Sequence, residues 1–168
     1  MSLFTDYTPD EQRLLLRGLQ AAAVAISAAS LGRKTETISE GFAAASLIME
    51  RSEATVANPL ITSVQFALDE RARSGQPFPN YEKAASAPNA KTDAIETLRQ
   101  VAALVDAKAS ADEALGYKRW LLEIAQRTAE AGKEGGNFFG RGAVLVNDAE
   151  RDALAEVTQV LGIAEPQG

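Results

Sequence analysis

The sequence predicts an all-α protein, a single-domain bundle of six to seven helices, and three observations support this prediction. Alanine makes up about a fifth of the 168 residues while β-branched and aromatic side chains are sparse, a composition that favours helix over strand. Helix-capping signals recur along the chain. Between them, apolar residues return at three- and four-residue intervals, as in helices with one buried face. The length itself suggests one domain.

The first predicted helix spans residues 9–30. Thr8 and Glu11 form a capping box, in which a hydroxyl cap is followed three residues later by Glu, and Pro9 takes the first helical position. Small residues recur on one side of its second half, so that a neighbouring helix can approach the backbone closely: Gly18, Ala22, Ala25 and Ala29. We interpret this side as core packing.

Two further helices are predicted in the first half of the chain. The second, 38–56, follows a capping box of Thr37 with Glu40. The third, 59–74, follows a cap at Asn58 and has proline at its first position.

The connection 75–91 contains three prolines, and a structureless connection of this length is uncommon inside a compact domain. Either it holds a short helix that starts after Asn80, or it forms a strap that lays Phe78 and Tyr81 onto the bundle. A mixture of the two is favoured.

Three helices are predicted in the second half. The fourth, 93–108, follows a cap at Thr92 or Asp93, and the sixth, 148–161, follows a capping box that opens at Asn147. The fifth, 111–131, follows a capping box of Ser110 with Glu113.

The fifth helix carries the widest apolar face. On a helical wheel its charged and amide side chains share one narrow sector: Arg119, Glu123, Gln126, Arg127 and Glu130. The remaining positions are mostly apolar: Leu115, Tyr117, Trp120, Leu121, Leu122, Ile124, Ala125 and Ala129. We therefore predict that this helix forms the centre of the bundle.

Composition excludes several chemistries and partners. The chain has neither cysteine nor histidine, so no Cys/His zinc site, histidine-bound haem or Ser-His-Asp triad can be built, and no cofactor is predicted. The net charge is -6 with both signs mixed, which gives no electrostatic footprint for nucleic acid. The start of the chain lacks a signal-peptide pattern, and its most apolar stretch is too short to cross a bilayer. A cytoplasmic protein without membrane contact is predicted.

The stretch GKEGGNFFGRGAVLVNDAE, residues 132–150, raises a choice between two readings. As a binding turn, its backbone amides at Gly135 and Gly136 would hold a phosphate or carboxylate with help from Lys133 and Arg141. As a structural turn, Gly132 would cap the preceding helix at its C-terminus. The glycine spacing matches neither a P-loop nor a dinucleotide fingerprint, and the structural interpretation is preferred.

Lys118 is a second candidate, because it falls among apolar positions of the fifth helix. A desolvated lysine can act as a nucleophile or base. Alternatively, its stem lies along apolar surface while the ammonium reaches water, or it forms a salt bridge to a carboxylate on another helix.

Paired carboxylates are a third candidate. Glu50 with Glu53 in the second helix, and Asp148 with Asp152 in the sixth, could coordinate Ca²⁺ or Mg²⁺ through oxygen alone. No EF-hand spacing accompanies them, and solvated acidic faces are the preferred interpretation.

The C-terminal third, from YKRWLLEIAQRTAEAGKEGG through GRGAVLVNDAERDALAEVTQVLG, resembles a family of small all-helical bacterial proteins without assigned activity. Its last segment is similar to the tellurite-resistance TerB-like helical bundles. There a glycine-containing turn, a short extended piece and a capped helix with an early Glu follow one another; here these are Gly142, residues 144–146, and Asn147 with Glu150. The resemblance implies a helical bundle from a bacterium.

The chain departs from the TerB-like pattern at one place. Gly140, Arg141 and Gly142 stand where those proteins carry the Ala-Asp-Gly acidic turn associated with metal binding. Asp148 and Glu150 match acidic positions, and helix capping accounts for both. No metal site is therefore predicted.

Together these observations predict a non-catalytic interaction or scaffold protein that self-associates, or binds a protein partner, through a small-residue or aromatic face. The alternative is a small-ligand or divalent-metal module of the TerB-like stress-response type, built on the turn 132–142. An enzyme that uses Lys118 is the third and least favoured reading.

Overall fold

The computed structural model describes residues 1–29, 34–76, 81–134 and 148–164. Within these ranges the chain forms eight α-helices and no strand, so the all-α prediction is confirmed. The elements follow a 3₁₀ turn at Phe4–Asp6 and are α1 (Pro9–Ser27), α2 (Lys34–Met49), α3 (Glu53–Val56), α4 (Pro59–Arg73), α5 (Tyr81–Ala85), α6 (Ala90–Lys108), α7 (Ala111–Glu134) and α8 (Asp148–Val160). None of the helices in this part of the chain combines the length and apolarity that crossing a bilayer would require.

Helix α1 begins as predicted, with the capping box fully formed. The Thr8 amide donates to Glu11 Oε2 at 2.7 Å, and the Glu11 amide donates to Thr8 Oγ1 at 3.4 Å. The small-residue side of α1 packs inward, which confirms the core-packing interpretation: a methyl group placed on Gly18 would lie 2.9 Å from Cγ2 of Val101 in α6.

The second predicted helix is wrong at both ends. Helix α2 already begins at Lys34, so Thr37 lies inside it and does not cap it. The helix ends at Met49, and a separate turn, α3, follows, because Ser52 starts a new cap. Its hydroxyl accepts from the Thr55 amide at 3.2 Å, and its backbone is extended.

Helix α4 has the predicted cap. Asn58 Oδ1 accepts from the amides of Leu60 and Ile61 at 3.1 and 3.3 Å. Its Nδ2 donates to the Glu113 carbonyl at 3.0 Å, so the same side chain also ties α4 to α7.

The proline-rich connection holds the predicted short helix, α5, which starts after Asn80. The half-buried Tyr81 lies on the bundle, with its hydroxyl 2.5 Å from Ser27 Oγ at the end of α1. Phe78 lies outside the described residues.

Helix α6 begins at Ala90, three residues before the predicted start. Asn89 precedes it in the left-handed conformation (φ 61°), a region that asparagine tolerates better than most residues. The predicted cap at Thr92 or Asp93 is wrong, since both lie within the first turn. There the Asp93 carboxylate favourably faces the helix dipole.

Helix α7 lies at the centre of the bundle, as predicted, in contact with α1, α2, α3, α4, α6 and α8. All five members of its predicted polar sector are exposed, whereas most of its apolar positions are buried. The Ser110–Glu113 capping box is present. The helix continues to Glu134, so the prediction that Gly132 caps its C-terminus is wrong.

Candidate functional site

Lys118 forms an interhelical salt bridge. Its side chain leaves the buried face of α7, where the residue is 8% exposed, and its ammonium lies 2.7 and 3.0 Å from the two carboxylate oxygens of Asp106 on α6. Of the three roles predicted for Lys118, the structure shows the salt bridge to a carboxylate on another helix. The carboxylate pairs with the ammonium directly, so the arrangement joins α6 and α7.

The glycine-rich turn lies almost entirely beyond what the structure describes. Lys133 falls in the last turn of α7. Gly135, Gly136 and Arg141 lie outside the described residues. The binding site proposed for this turn therefore stays a prediction from sequence.

The carboxylate pairs do not form a metal site within the described ranges. Glu50 follows the end of α2 while Glu53 opens α3, so the two do not share a helix as predicted. Asp148 and Asp152 are both exposed on α8, and Asp148 accepts from Arg151 at 3.0 Å. Across residues 1–29, 34–76, 81–134 and 148–164, no group of three or more acidic side chains is arranged to hold a metal ion.

One end of the bundle is closed by residues 2–7. Glu113 Oε1 accepts from the Ser2 amide at 3.0 Å, while Oε2 accepts from the amide and hydroxyl of Ser110 at 3.1 and 2.8 Å. These hydrogen bonds, that of Ser2 first, lower the pKa of the Glu113 carboxyl. Both carboxylate oxygens of Glu113 are therefore occupied by hydrogen bonds that hold the fold together.

The same closed end buries Tyr7. Burial raises the pKa of its phenol, and the nearby Glu113 and Glu11 carboxylates raise it further. The Lys108 ammonium lies 5.2 Å from the centre of the Tyr7 ring and 2.7 Å from Glu11 Oε2. The Lys108 ammonium thus bridges the start of α1 and the end of α6 at this end of the bundle.

Three large apolar side chains are exposed on the surface formed by the end of α2, by α3 and by α4: Met49 (41%), Val56 (60%) and Phe66 (60%). We call this surface the α2–α4 corner.

Hydrogen bonds fix the geometry of the α2–α4 corner. Gln65, next to Phe66, donates to the carbonyls of Ile48 and Glu50 at 2.8 and 2.9 Å, which flank Met49. Thr62, one turn before Phe66, donates to the Thr55 carbonyl at 3.2 Å, beside Val56. The backbone under all three apolar side chains is therefore held in place.

Charges of both signs surround the α2–α4 corner. Arg51 lies 3.9 Å from Asp69, and Arg73 donates to Glu70 at 3.0 Å. Glu50 and Glu53 are exposed and form no ion pair with any described residue. A partner for this surface must meet an apolar centre with a mixed-charge rim.

Sequence reasoning missed the α2–α4 corner, although one signal for it was present. In the helix predicted at 59–74, Phe66 falls on the wheel among Thr62, Asp69 and Arg73, opposite the apolar face. A phenylalanine in a polar sector is a pattern that the amino-acid sequence alone can reveal. Met49 and Val56 gave no comparable signal, because the helix was predicted to run through both.

Comparison of the chain with models of known protein families finds no match, nor do searches of curated proteins and of solved structures. The similarity to TerB-like bundles stays a prediction.

Proposed function

We propose that this chain is a non-catalytic interaction protein that binds a protein partner through the α2–α4 corner. The observation that carries the proposal is the 60% exposure of Phe66 at the middle of a helix whose leucine, isoleucine and valine side chains are all buried. As part of the same proposal we place the protein in the cytoplasm, the reducing compartment that a chain without cysteine suits.

A partner that covers the α2–α4 corner would bury the exposed Phe66 side chain. Fully burying a phenylalanine side chain is worth about 1.5–3 kcal/mol, and most of that remains ungained while Phe66 faces water. Single exposed apolar residues are ordinary on protein surfaces, but Phe66 shares its surface with Val56 and Met49. Aromatic residues and methionine are enriched at protein interfaces.

Rigidity adds to the argument. Gln65 and Thr62 tie α4 to the segment before it, so the corner is already ordered. A pre-ordered surface loses little conformational entropy on association.

Site-specific photo-crosslinking tests the proposal. A photoreactive phenylalanine analogue replaces Phe66 in one variant and the exposed Gln126 of α7 in a control variant, and both are expressed in the native host. We expect a discrete adduct from position 66 and none from position 126, with the partner identified by mass spectrometry.

A competition arm makes the test specific. Purified wild-type protein should suppress the adduct in extracts, whereas Phe66→Ser protein of unchanged circular dichroism should not. Absence of any adduct at position 66, or equal adducts from both positions, would refute the proposal.

A further inference from the structure

We infer that Met49 is a site of reversible oxidation, at which hydrogen peroxide makes the α2–α4 corner more polar while the fold stays intact. The inference rests on the proposed function and adds a means of regulating it. Three observations carry it: the scarcity of sulfur in the chain, the exposure of this thioether, and the hydrogen bonds that hold the backbone around it.

Met49 carries one of the few sulfur atoms in the protein. The sequence contains no cysteine and two methionines, Met1 and Met49. Peroxide therefore meets no thiol in this chain, and the sulfur that it can oxidise is that of methionine. Met49 is the methionine at the α2–α4 corner, and 41% of the residue is exposed there.

The reaction adds one oxygen atom to the thioether. The methionine sulfur attacks one oxygen of hydrogen peroxide, so an S–O bond forms as the O–O bond breaks. The sulfur gives up two electrons, and the peroxide is reduced to water, which carries both of its hydrogens. The product is a polar sulfoxide, which methionine sulfoxide reductases convert back. In that step two thiols of a reductant become a disulfide and the oxygen leaves as water.

The backbone around Met49 does not depend on the thioether. Gln65 Nε2 donates to the carbonyls of Ile48 and Glu50 at 2.8 and 2.9 Å, so main-chain groups on both sides of Met49 are held. Helix α2 reaches the core through other side chains, such as the buried Leu47. Oxidation disrupts a fold where the methionine lies in the core. Because Met49 is exposed, water can hydrate its sulfoxide, and we expect the fold to be spared.

At the α2–α4 corner the sulfoxide opposes binding. Met49, Val56 and Phe66 are the three large apolar side chains that a partner would cover. Burying a polar group without a hydrogen-bond partner costs free energy, and the apolar contact of the thioether is lost as well. Oxidised protein should therefore bind its partner at least about tenfold more weakly, and reduction should restore the binding.

Peptide mapping by mass spectrometry tests the oxidation site. Purified wild-type protein is treated with hydrogen peroxide alongside N-acetylmethionine, a fully exposed thioether. The peptide that contains Met49 should gain one oxygen atom, no more than about tenfold more slowly than the reference compound, and should lose it to methionine sulfoxide reductase. The circular dichroism spectrum and the urea midpoint should not change. A Met49 that stays reduced while the reference is oxidised, or a chain that unfolds on oxidation, would overturn the inference.

Photo-crosslinking from position 66 tests the effect on the α2–α4 corner. The photoreactive protein is oxidised, freed of peroxide, and added to a native-host extract dialysed to remove thiol reductants. The adduct should fall by about tenfold or more and return after reductase treatment. The control is Met49→Leu, a volume-conserving change that leaves no thioether at the corner. Its own adduct level should be the same before and after peroxide.

The outcomes separate this inference from the proposed function. Oxidation that leaves the adduct at position 66 unchanged, or lowers it equally in Met49→Leu, would overturn regulation through Met49 while the interaction function stands. If position 66 gives no adduct even before treatment, the proposed function fails and its regulation fails with it.

Discussion

Glu113 joins three parts of the chain, two through its carboxylate and one through its backbone carbonyl. It accepts from the Ser2 amide, from the amide and from the hydroxyl of Ser110, while its backbone carbonyl accepts from Asn58. A buried carboxylate with several donors is stabilised in its charged form, which is why its pKa is lowered. The closed end of the bundle is thus stabilised by hydrogen bonds to the charged carboxylate of Glu113.

Replacing Glu113 by Gln should destabilise the protein in a pH-dependent way. At pH 7 the loss should be about 1–3 kcal/mol, because hydrogen bonds to a charged acceptor are lost. Since the folded-state pKa lies below the unfolded value of about 4.3, the carboxylate contributes fully above that value and loses its contribution as pH falls through the folded pKa. The free energies of unfolding of wild type and variant should therefore converge in acid.

Urea unfolding at pH 7 and at several acidic pH values measures this difference. Glu123→Gln, on the exposed sector of α7, is the control and should change stability by less than about 0.5 kcal/mol at any pH. A Glu113→Gln deficit that is the same at every pH would contradict the charge-based account.

At the scale of single residues, the sequence predicted those hydrogen bonds that a residue makes with its neighbours along the chain. The caps at Thr8, Asn58 and Ser110 were predictable because a cap bonds to amides two or three residues away. Thr37 carries the same local signal and fails, since α2 extends past it. A salt bridge between Lys118 and a carboxylate on another helix could be predicted from the sequence. Its partner, Asp106, could not, because the identity of the partner depends on how α6 and α7 pack.

At the scale of elements, helix existence was predictable and helix ends were less so. Periodicity located all six long helices, because each needs an apolar face for the core. It gave no sign of the break between Met49 and Glu53, which depends on Ser52 capping a new turn and on Gln65 bonding the freed carbonyls of α2. The apolar corner was missed chiefly for that reason.

The docking of α5 rests on a close contact that the structure makes testable. A methyl group on Gly41 of α2 would lie 2.6 Å from Cδ1 of Tyr81. Gly41→Ala should favour the α2 helix by about 1 kcal/mol through intrinsic propensity. It should also displace the Tyr81 ring at an overpacking cost of about 1–3 kcal/mol.

Limited proteolysis with chymotrypsin measures this displacement through the rate of cleavage after Tyr81. Cleavage after Tyr81 should accelerate by about tenfold or more in Gly41→Ala, as the undocked population rises. Ala45→Ser, at an exposed position of the same helix, should cleave like the wild type. If Gly41→Ala also cleaves like the wild type, Tyr81 is not what holds α5.

At the scale of the whole molecule, one core connects both ends of the described chain. Buried apolar side chains run without a break in the packing from Phe4 through α7 to Leu161. Helix α8 reaches this core through contacts with α1, α6 and α7. We therefore expect the described chain to unfold as one unit.

Cooperative unfolding of this unit is the last prediction. Trp120, the only tryptophan, is 2% exposed on α7 and reports on the core, whereas far-ultraviolet circular dichroism reports on all helices. The two signals should give one coincident urea transition. Val157→Ala in α8 removes buried groups worth about 2 kcal/mol and should shift both signals equally, although Trp120 lies on another helix. Exposed Gln159→Ala should shift neither, and a Val157→Ala transition that moves dichroism ahead of fluorescence would show that α8 unfolds separately.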